Sequence, residues 1–247
     1  MSRMASLLFA IAAYAVFFAT FLYLICFVGD FTFVSLTVDE GGPETTVAAA
    51  IVIDVLLIAL FGVQHSVMAR QGFKRVWTRI VPPPVERSVF VLAASAVLIV
   101  LFLFWRPIPQ VVWDVQSPLF RQLIDVLFWV GWVTVLVSTF LINHFELFGL
   151  QQAWFHLRGR EPVPPTFRQP MLYRWVRHPL YLGFFIAFWA AKEMTVGHLL
   201  LAAGLSVYML IAIRYEERDL VGHFGQDYED YRARVGMLTP RFRRRQA

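Results

Sequence analysis

The sequence predicts an all-α, polytopic membrane helix bundle of five to six spans, including a C-terminal helical hairpin, with an amphipathic cap helix after it. Three observations carry this. The 247 residues are 58% hydrophobic and only 16% charged, whereas soluble domains sit at about 45–50% apolar. Apolar runs recur at the length of roughly 20 residues that a bilayer core demands. Basic residues gather in alternate loops, so the net charge of +5 reflects orientation in a membrane, not nucleic-acid binding.

The first span is Ala5–Val28. It is longer than a signal-peptide core, and no small-residue cleavage site follows before Asp30, so it is expected to be retained. Its only unusual residue is Cys26, the single cysteine of the chain. That excludes an intramolecular disulfide and leaves a small packing residue. An acidic loop with Asp30, Asp39, Glu40 and Glu44 leads to the second span, Val47–Met68. Arg70, Lys74, Arg75, Arg79 and Arg87 crowd the next loop, which Pro82-Pro83-Pro84 stiffens. The third span is Ser88–Trp105 and the fourth Leu123–Ile142.

A second basic loop carries Arg158, Arg160, Arg168, Arg174 and Arg177, with Pro162-Val163-Pro164-Pro165 as another extended connector. The region Pro179–Arg214 then reads as a hairpin. Its first arm, Leu180–Ala191, is only about a dozen residues, roughly 18 Å of helix, which is short of a full crossing. Lys192-Glu193 breaks the run, and Gly197–Ile213 returns. From Tyr215 onward, Leu220, Phe224, Tyr228, Tyr231 and Val235 recur every three to four residues among charges. That pattern makes an amphipathic helix, either an interfacial anchor or a cap. Arg241, Arg243, Arg244 and Arg245 close the chain. The positive-inside rule places both termini and all basic loops in the cytoplasm.

Three polar groups could carry chemistry. Arg177 and His178 stand before Pro179, a residue at home in the first turn of a helix. The free N–H groups there can receive an anion, Leu180 and Tyr181 follow in that turn, and Gly183 leaves a face bare for a neighbouring helix or a flat ring. The same residues also suit a snorkelling arginine, a capping histidine and an aromatic belt. Glu216 and Glu217 are expected at the end of an apolar helix, where the helix dipole disfavours acids. They could face a cation or ribose hydroxyls, or pair with Arg214 and Arg218. The third group is Asn143, His144, Glu146 and Gln151 at the end of the fourth span. By the three-to-four rule Asn143, Glu146 and Leu150 share a helical face, and the group could be either interfacial or pocket-lining. Gln64-His65-Ser66 is a weaker fourth set, best read as an intramembrane histidine bonded to a neighbouring helix. No two histidines have the spacing of a helical metal site, so no metal is expected. No glycine-rich phosphate loop occurs.

The string RHPxYxG at Arg177–Gly183, followed by Glu216-Glu217, Phe224-Gly225, Tyr228, Tyr231 and Pro240, resembles the isoprenylcysteine carboxyl methyltransferase and phospholipid methyltransferase superfamily of membrane enzymes. Gln64-His65-Ser66-Val67-Met68-Ala69 resembles its NnrU-like branch. Together Asn143–Gly149, His65-Ser66 and the frame of Arg177-His178-Pro179 and Glu216-Glu217 resemble the bacterial methanethiol S-methyltransferases, over almost the entire length. The resemblance implies one domain over residues 1–247, with four spans in 1–142 and a cofactor-binding half in 143–247, set in a bacterial inner membrane. It implies methyl transfer from S-adenosylmethionine to methanethiol, a small thiol, giving dimethyl sulfide and S-adenosylhomocysteine. His178, Pro179, Leu180, Tyr181, Gly183, Glu216, Glu217 and Gln151 would then hold the cofactor. A thiol is largely protonated at neutral pH and needs a base or a cation nearby. His144 is the first candidate base, with Glu146 to orient it, Asn143 beside it and Arg177 as an alternative. Other readings are a lipid or prenylcysteine acceptor, an NADPH-dependent membrane reductase, and a non-enzymatic NnrU-like factor.

Overall fold

The computed structural model describes residues 2–161 and 166–241. The connector at Pro162–Pro165 and the arginines at 243–245 fall outside them. Among the described residues ten α-helices follow in order: α1 (Arg3–Val28), α2 (Val47–Ala69), α3 (Gln71–Trp77), α4 (Pro83–Phe104), α5 (Pro118–Ile142), α6 (His144–Leu147), α7 (Leu150–Arg158), α8 (Pro179–Trp189), α9 (Val196–Phe224) and α10 (Gln226–Arg234). Five of them, α1, α2, α4, α5 and α9, are long and apolar enough to cross a membrane, and α8 is the shorter sixth. The expected four N-terminal spans and the hairpin are therefore present.

The six apolar helices close into a ring around one core. It contains Phe27 of α1, Ile58 of α2, Leu101 of α4, Trp132 of α5, Phe188 of α8 and Leu201 of α9. The outward faces carry exposed leucine, valine and phenylalanine, as a lipid-facing surface requires. The closest approach joins α5 to α8. A Cβ on Gly183 would lie 2.7 Å from the Gly131 carbonyl oxygen and 2.8 Å from the Val135 nitrogen. The two backbones can touch only because both positions are glycine.

The turn of the hairpin holds a feature that helical periodicity did not announce. Val111–Asp114 (β1) pairs antiparallel with Glu193–Thr195 (β2), in the register Val111↔Thr195 and Asp114↔Glu193. The Lys192-Glu193 break is thus a strand that ties the α8–α9 turn to the segment after α4. Lys192 reaches Asp125 of α5 at 2.8 Å, and the Trp113 indole donates to the Ala191 carbonyl at 3.3 Å.

At the other end, two expectations are corrected. The α9 helix does not stop at the acidic pair; it continues to Phe224, so the dipole argument does not apply to Glu216 and Glu217. The predicted amphipathic helix is split at Gly225, whose φ of 57° ends α9 and starts α10. Tyr228 and Tyr231 of α10 are buried against Phe167, Leu220 and Phe224. The apolar face of the element therefore packs on the protein as a cap. The Tyr231 hydroxyl, which burial pushes up to about 12, stays protonated and donates to the Tyr173 carbonyl at 2.6 Å.

Candidate functional site

The cap, the start of α8 and the last turns of α9 converge on one carboxylate. Glu217 accepts from the Arg177 Nε at 2.7 Å and pairs with the His178 Nε2 at 3.1 Å. All three side chains are nearly buried, at 7% exposed for Arg177, 4% for His178 and 12% for Glu217. Charges this deep need partners, and here they supply each other. Arg177 also donates through Nη1 to the Arg232 carbonyl at 3.1 Å and to the Val235 carbonyl. Its backbone N–H donates to Gly236 at 2.8 Å, and that of His178 to Met237 at 3.1 Å. The segment after α10 is therefore strapped to the start of α8. Arg177, one of the sequence's catalytic candidates, has its donors directed at this scaffold.

Glu216 is the other half of the pair and behaves differently. It is 46% exposed, and its carboxylate stands 4.0 Å from the His178 Nδ1. The Tyr181 hydroxyl is directed toward it, and Tyr208 of α9 lies close by. Pro179 and Leu180 sit in the uncapped first turn of α8. His178, Pro179, Tyr181, Glu216 and Glu217 are thus brought together. Gly183 is not part of the opening. Its bare face is filled by α5, which corrects the expectation that a ligand ring approaches there.

Beyond Tyr208 the wall continues onto α2, which sequence reasoning weighed only weakly. Arg70 pairs with Asp219 at 3.4 Å and lies 4.2 Å over the Tyr215 ring. Ser66 adjoins the Tyr208 hydroxyl. The His65 ring packs against Phe90 at 4.8 Å, Phe61 at 5.4 Å and Tyr208 at 6.2 Å. Among the described residues its Nδ1 is buried without a hydrogen-bond partner, and so is the Gln64 Oε1. The expected bond from His65 to a neighbouring helix is therefore not made at Nδ1.

The third polar group forms a separate corner. Asn143, at φ 170°, ends α5 and caps α6, and Gly149 at φ 90° starts α7. The presumed single helical face is thereby broken into three short directions. Asn143 donates to the Glu146 Oε2 at 2.9 Å and the Gln151 Oε1 at 2.6 Å. His144 is 6% exposed. Its Nε2 contacts the Tyr14 hydroxyl at 2.7 Å, and its Nδ1 contacts the Thr139 hydroxyl at 2.9 Å. The ring stacks on Phe140 at 4.2 Å. Burial holds its pKa below the ordinary histidine value. Among the described residues, Tyr14 and Thr139 orient His144 and Glu146 does not, because the Glu146 carboxylate is taken by Asn143. Gln151 belongs to this corner and not to the Glu217 cluster. Among the described residues no group of three His, Cys, Asp or Glu is placed to hold a metal ion.

These features define a polytopic helical membrane protein with a buried Arg–His–Glu network beneath an exposed carboxylate. The chain belongs to the NnrU protein family, which matches residues 54–244. It is 53% identical to methanethiol S-methyltransferase 1 of Bradyrhizobium diazoefficiens, over 94% of this chain and 81% of the relative. It is 51% identical to a methanethiol S-methyltransferase of Mycobacterium tuberculosis, over 97% of this chain and 98% of that protein. A more distant relative, nurim of Xenopus laevis, is 28% identical over 75% of this chain and 68% of its own length. No solved structure matches the chain.

Proposed function

We propose that the protein is a membrane S-methyltransferase that moves a methyl group from S-adenosylmethionine to methanethiol, releasing dimethyl sulfide and S-adenosylhomocysteine. The observation that carries the reading is the near-full-length identity of about half with proteins of that name. The site residues fit such a donor. A half-exposed carboxylate at Glu216, backed by the Glu217 network, suits a ligand that carries a positive sulfonium and ammonium. S-Adenosylmethionine supplies a methyl group on cationic sulfur, and a thioether leaves without needing a proton. The residues around Glu216 then have to bind, orient and exclude water. His178 holds Glu217 and stands 4.0 Å from Glu216, and Tyr181 offers its hydroxyl to Glu216.

His144 takes a positioning role in this reading. Both its nitrogens face hydroxyl groups, and through Tyr14 it holds α1 against the α5–α6 corner. Arg177 likewise holds the cap in place. We place the protein in the bacterial inner membrane with both termini in the cytoplasm, where S-adenosylmethionine is made.

Headspace detection tests the function directly. Cells expressing the chain and fed methanethiol should release dimethyl sulfide above the level of cells with an empty vector. Equal release would reject the reading. Purified protein should also melt at higher temperature with S-adenosylhomocysteine and not with NADPH.

A further inference from the structure

We propose that His65 receives the acceptor thiol's proton, with Arg87 beside it favouring the thiolate; this rests on the methyl-transfer reading above. The reaction needs such a group, because an alkyl thiol is mostly protonated at neutral pH and the thiolate is the nucleophile. Two other histidines at this end are engaged. His178 is bound to Glu217, and both nitrogens of His144 face hydroxyl groups.

His65 differs. Among the described residues its Nδ1 is buried without a hydrogen-bond partner. An orphaned ring nitrogen is costly unless something donates to it, and a thiol S–H is a donor. Phe61 and Phe90 supply apolar walls at 5.4 and 4.8 Å from the imidazole. Arg87 stacks on the same Phe90 ring at 4.8 Å. The location is also right. Tyr208, 6.2 Å from His65 ring to ring, borders Glu216 and Tyr181 on its other side. One residue therefore separates the imidazole from the donor carboxylate. The groups facing His65 that carry charge or titrate are Arg87 from α4 and Tyr208 from α9.

The step balances as follows. The thiol proton passes to the imidazole Nδ1, and the sulfur lone pair forms the new carbon–sulfur bond. The sulfonium carbon–sulfur bond breaks, its electron pair stays on the donor sulfur, and the imidazolium returns its proton to water.

The experiment uses full-length protein in detergent with methanethiol and S-adenosylmethionine, following dimethyl sulfide from pH 6 to 9. His65→Ala and His65→Gln are compared with the unaltered chain, and S-adenosylhomocysteine affinity is measured by calorimetry. The expected result is turnover lowered by about 10²–10⁴-fold at neutral pH, with affinity for S-adenosylhomocysteine kept. The loss should narrow as pH rises and thiolate forms in solution. Either variant turning over at the full rate, a loss equal at every pH, or loss of S-adenosylhomocysteine binding in both variants would overturn the assignment alone. No dimethyl sulfide from the unaltered protein would overturn the methyl-transfer reading and the assignment with it.

Discussion

Replacing Glu216 and Glu217 one at a time should separate a ligand-binding group from a scaffold group. Glu217→Ala leaves Arg177 and His178, at 7% and 4% exposed, without their shared carboxylate. Breaking a buried pair costs about 3–5 kcal/mol. Arg177 keeps its bonds to the Arg232 and Val235 carbonyls, so the low end applies. On the scale of soluble domains of similar size, about 3 kcal/mol lowers Tm by about 6–12 °C. Glu216 is 46% exposed, so Glu216→Ala should change stability by about 0.5 kcal/mol or less. It should weaken S-adenosylhomocysteine binding at least about tenfold, equal to about 1.4 kcal/mol. Thermal unfolding in detergent reads the first effect and titration calorimetry the second. Unchanged affinity in folded Glu216→Ala would remove that residue from the site. Unaltered melting of Glu217→Ala would show that the buried network does not support the fold.

The remaining predictions concern packing, pH and topology. Gly183→Leu should prevent α8 from seating on α5 and abolish monodisperse folding, because even a Cβ meets Gly131 at 2.7 Å; Gly222→Ala, with open space around it, should stabilise by about 0.5–1 kcal/mol. Recovery of both variants with equal melting temperatures would reject the distinction. His144 is buried with its pKa lowered, so the unfolded chain binds a proton there that the folded chain does not. Its contribution is complete above about pH 6.5 and is lost as pH falls from there toward the folded value. Unfolding from pH 7.5 to 5 should therefore show a weaker acid loss in His144→Gln than in the unaltered protein; an identical acid loss would refute it. A reporter fused after Ala247 should be active in the cytoplasm, and one placed in the Asp30–Thr46 loop in the periplasm. The opposite pattern would reverse the orientation.

The spans were legible because lipid imposes a rule that sequence alone can state: an unbroken apolar helix of sufficient length. The Arg177–Gly183 string and the acidic pair were legible for the converse reason, as expensive polar groups beside apolar runs. What sequence missed depends on long-range pairing. Nothing local in Val111–Asp114 announces a strand, since its partner lies about 80 residues on at Glu193–Thr195. Gly183 looked open because Gly131, the residue that fills its face, belongs to another helix; a glycine inside the fourth span was the available signal. The Asn143–Gln151 group looked like one helical face because helical spacing cannot reveal a φ of 170° at Asn143 or 90° at Gly149. His65 was read as bonded to a neighbouring helix; its ring neighbours do lie on α4 and α9, but among the described residues its Nδ1 finds no partner there.

The strap between Arg177–His178 and Gly236–Met237 has a consequence for biogenesis. Each apolar helix can enter the bilayer as it is translated, yet the carboxylate cluster lacks its backbone clamp until residue 237 has left the ribosome. A chain cut at Arg234 would retain every apolar helix and the acidic pair, and would insert normally. It would nevertheless leave the Arg177 and His178 amides without acceptors. Termination before residue 236 should therefore yield a membrane-resident protein whose carboxylate cluster lacks its backbone clamp.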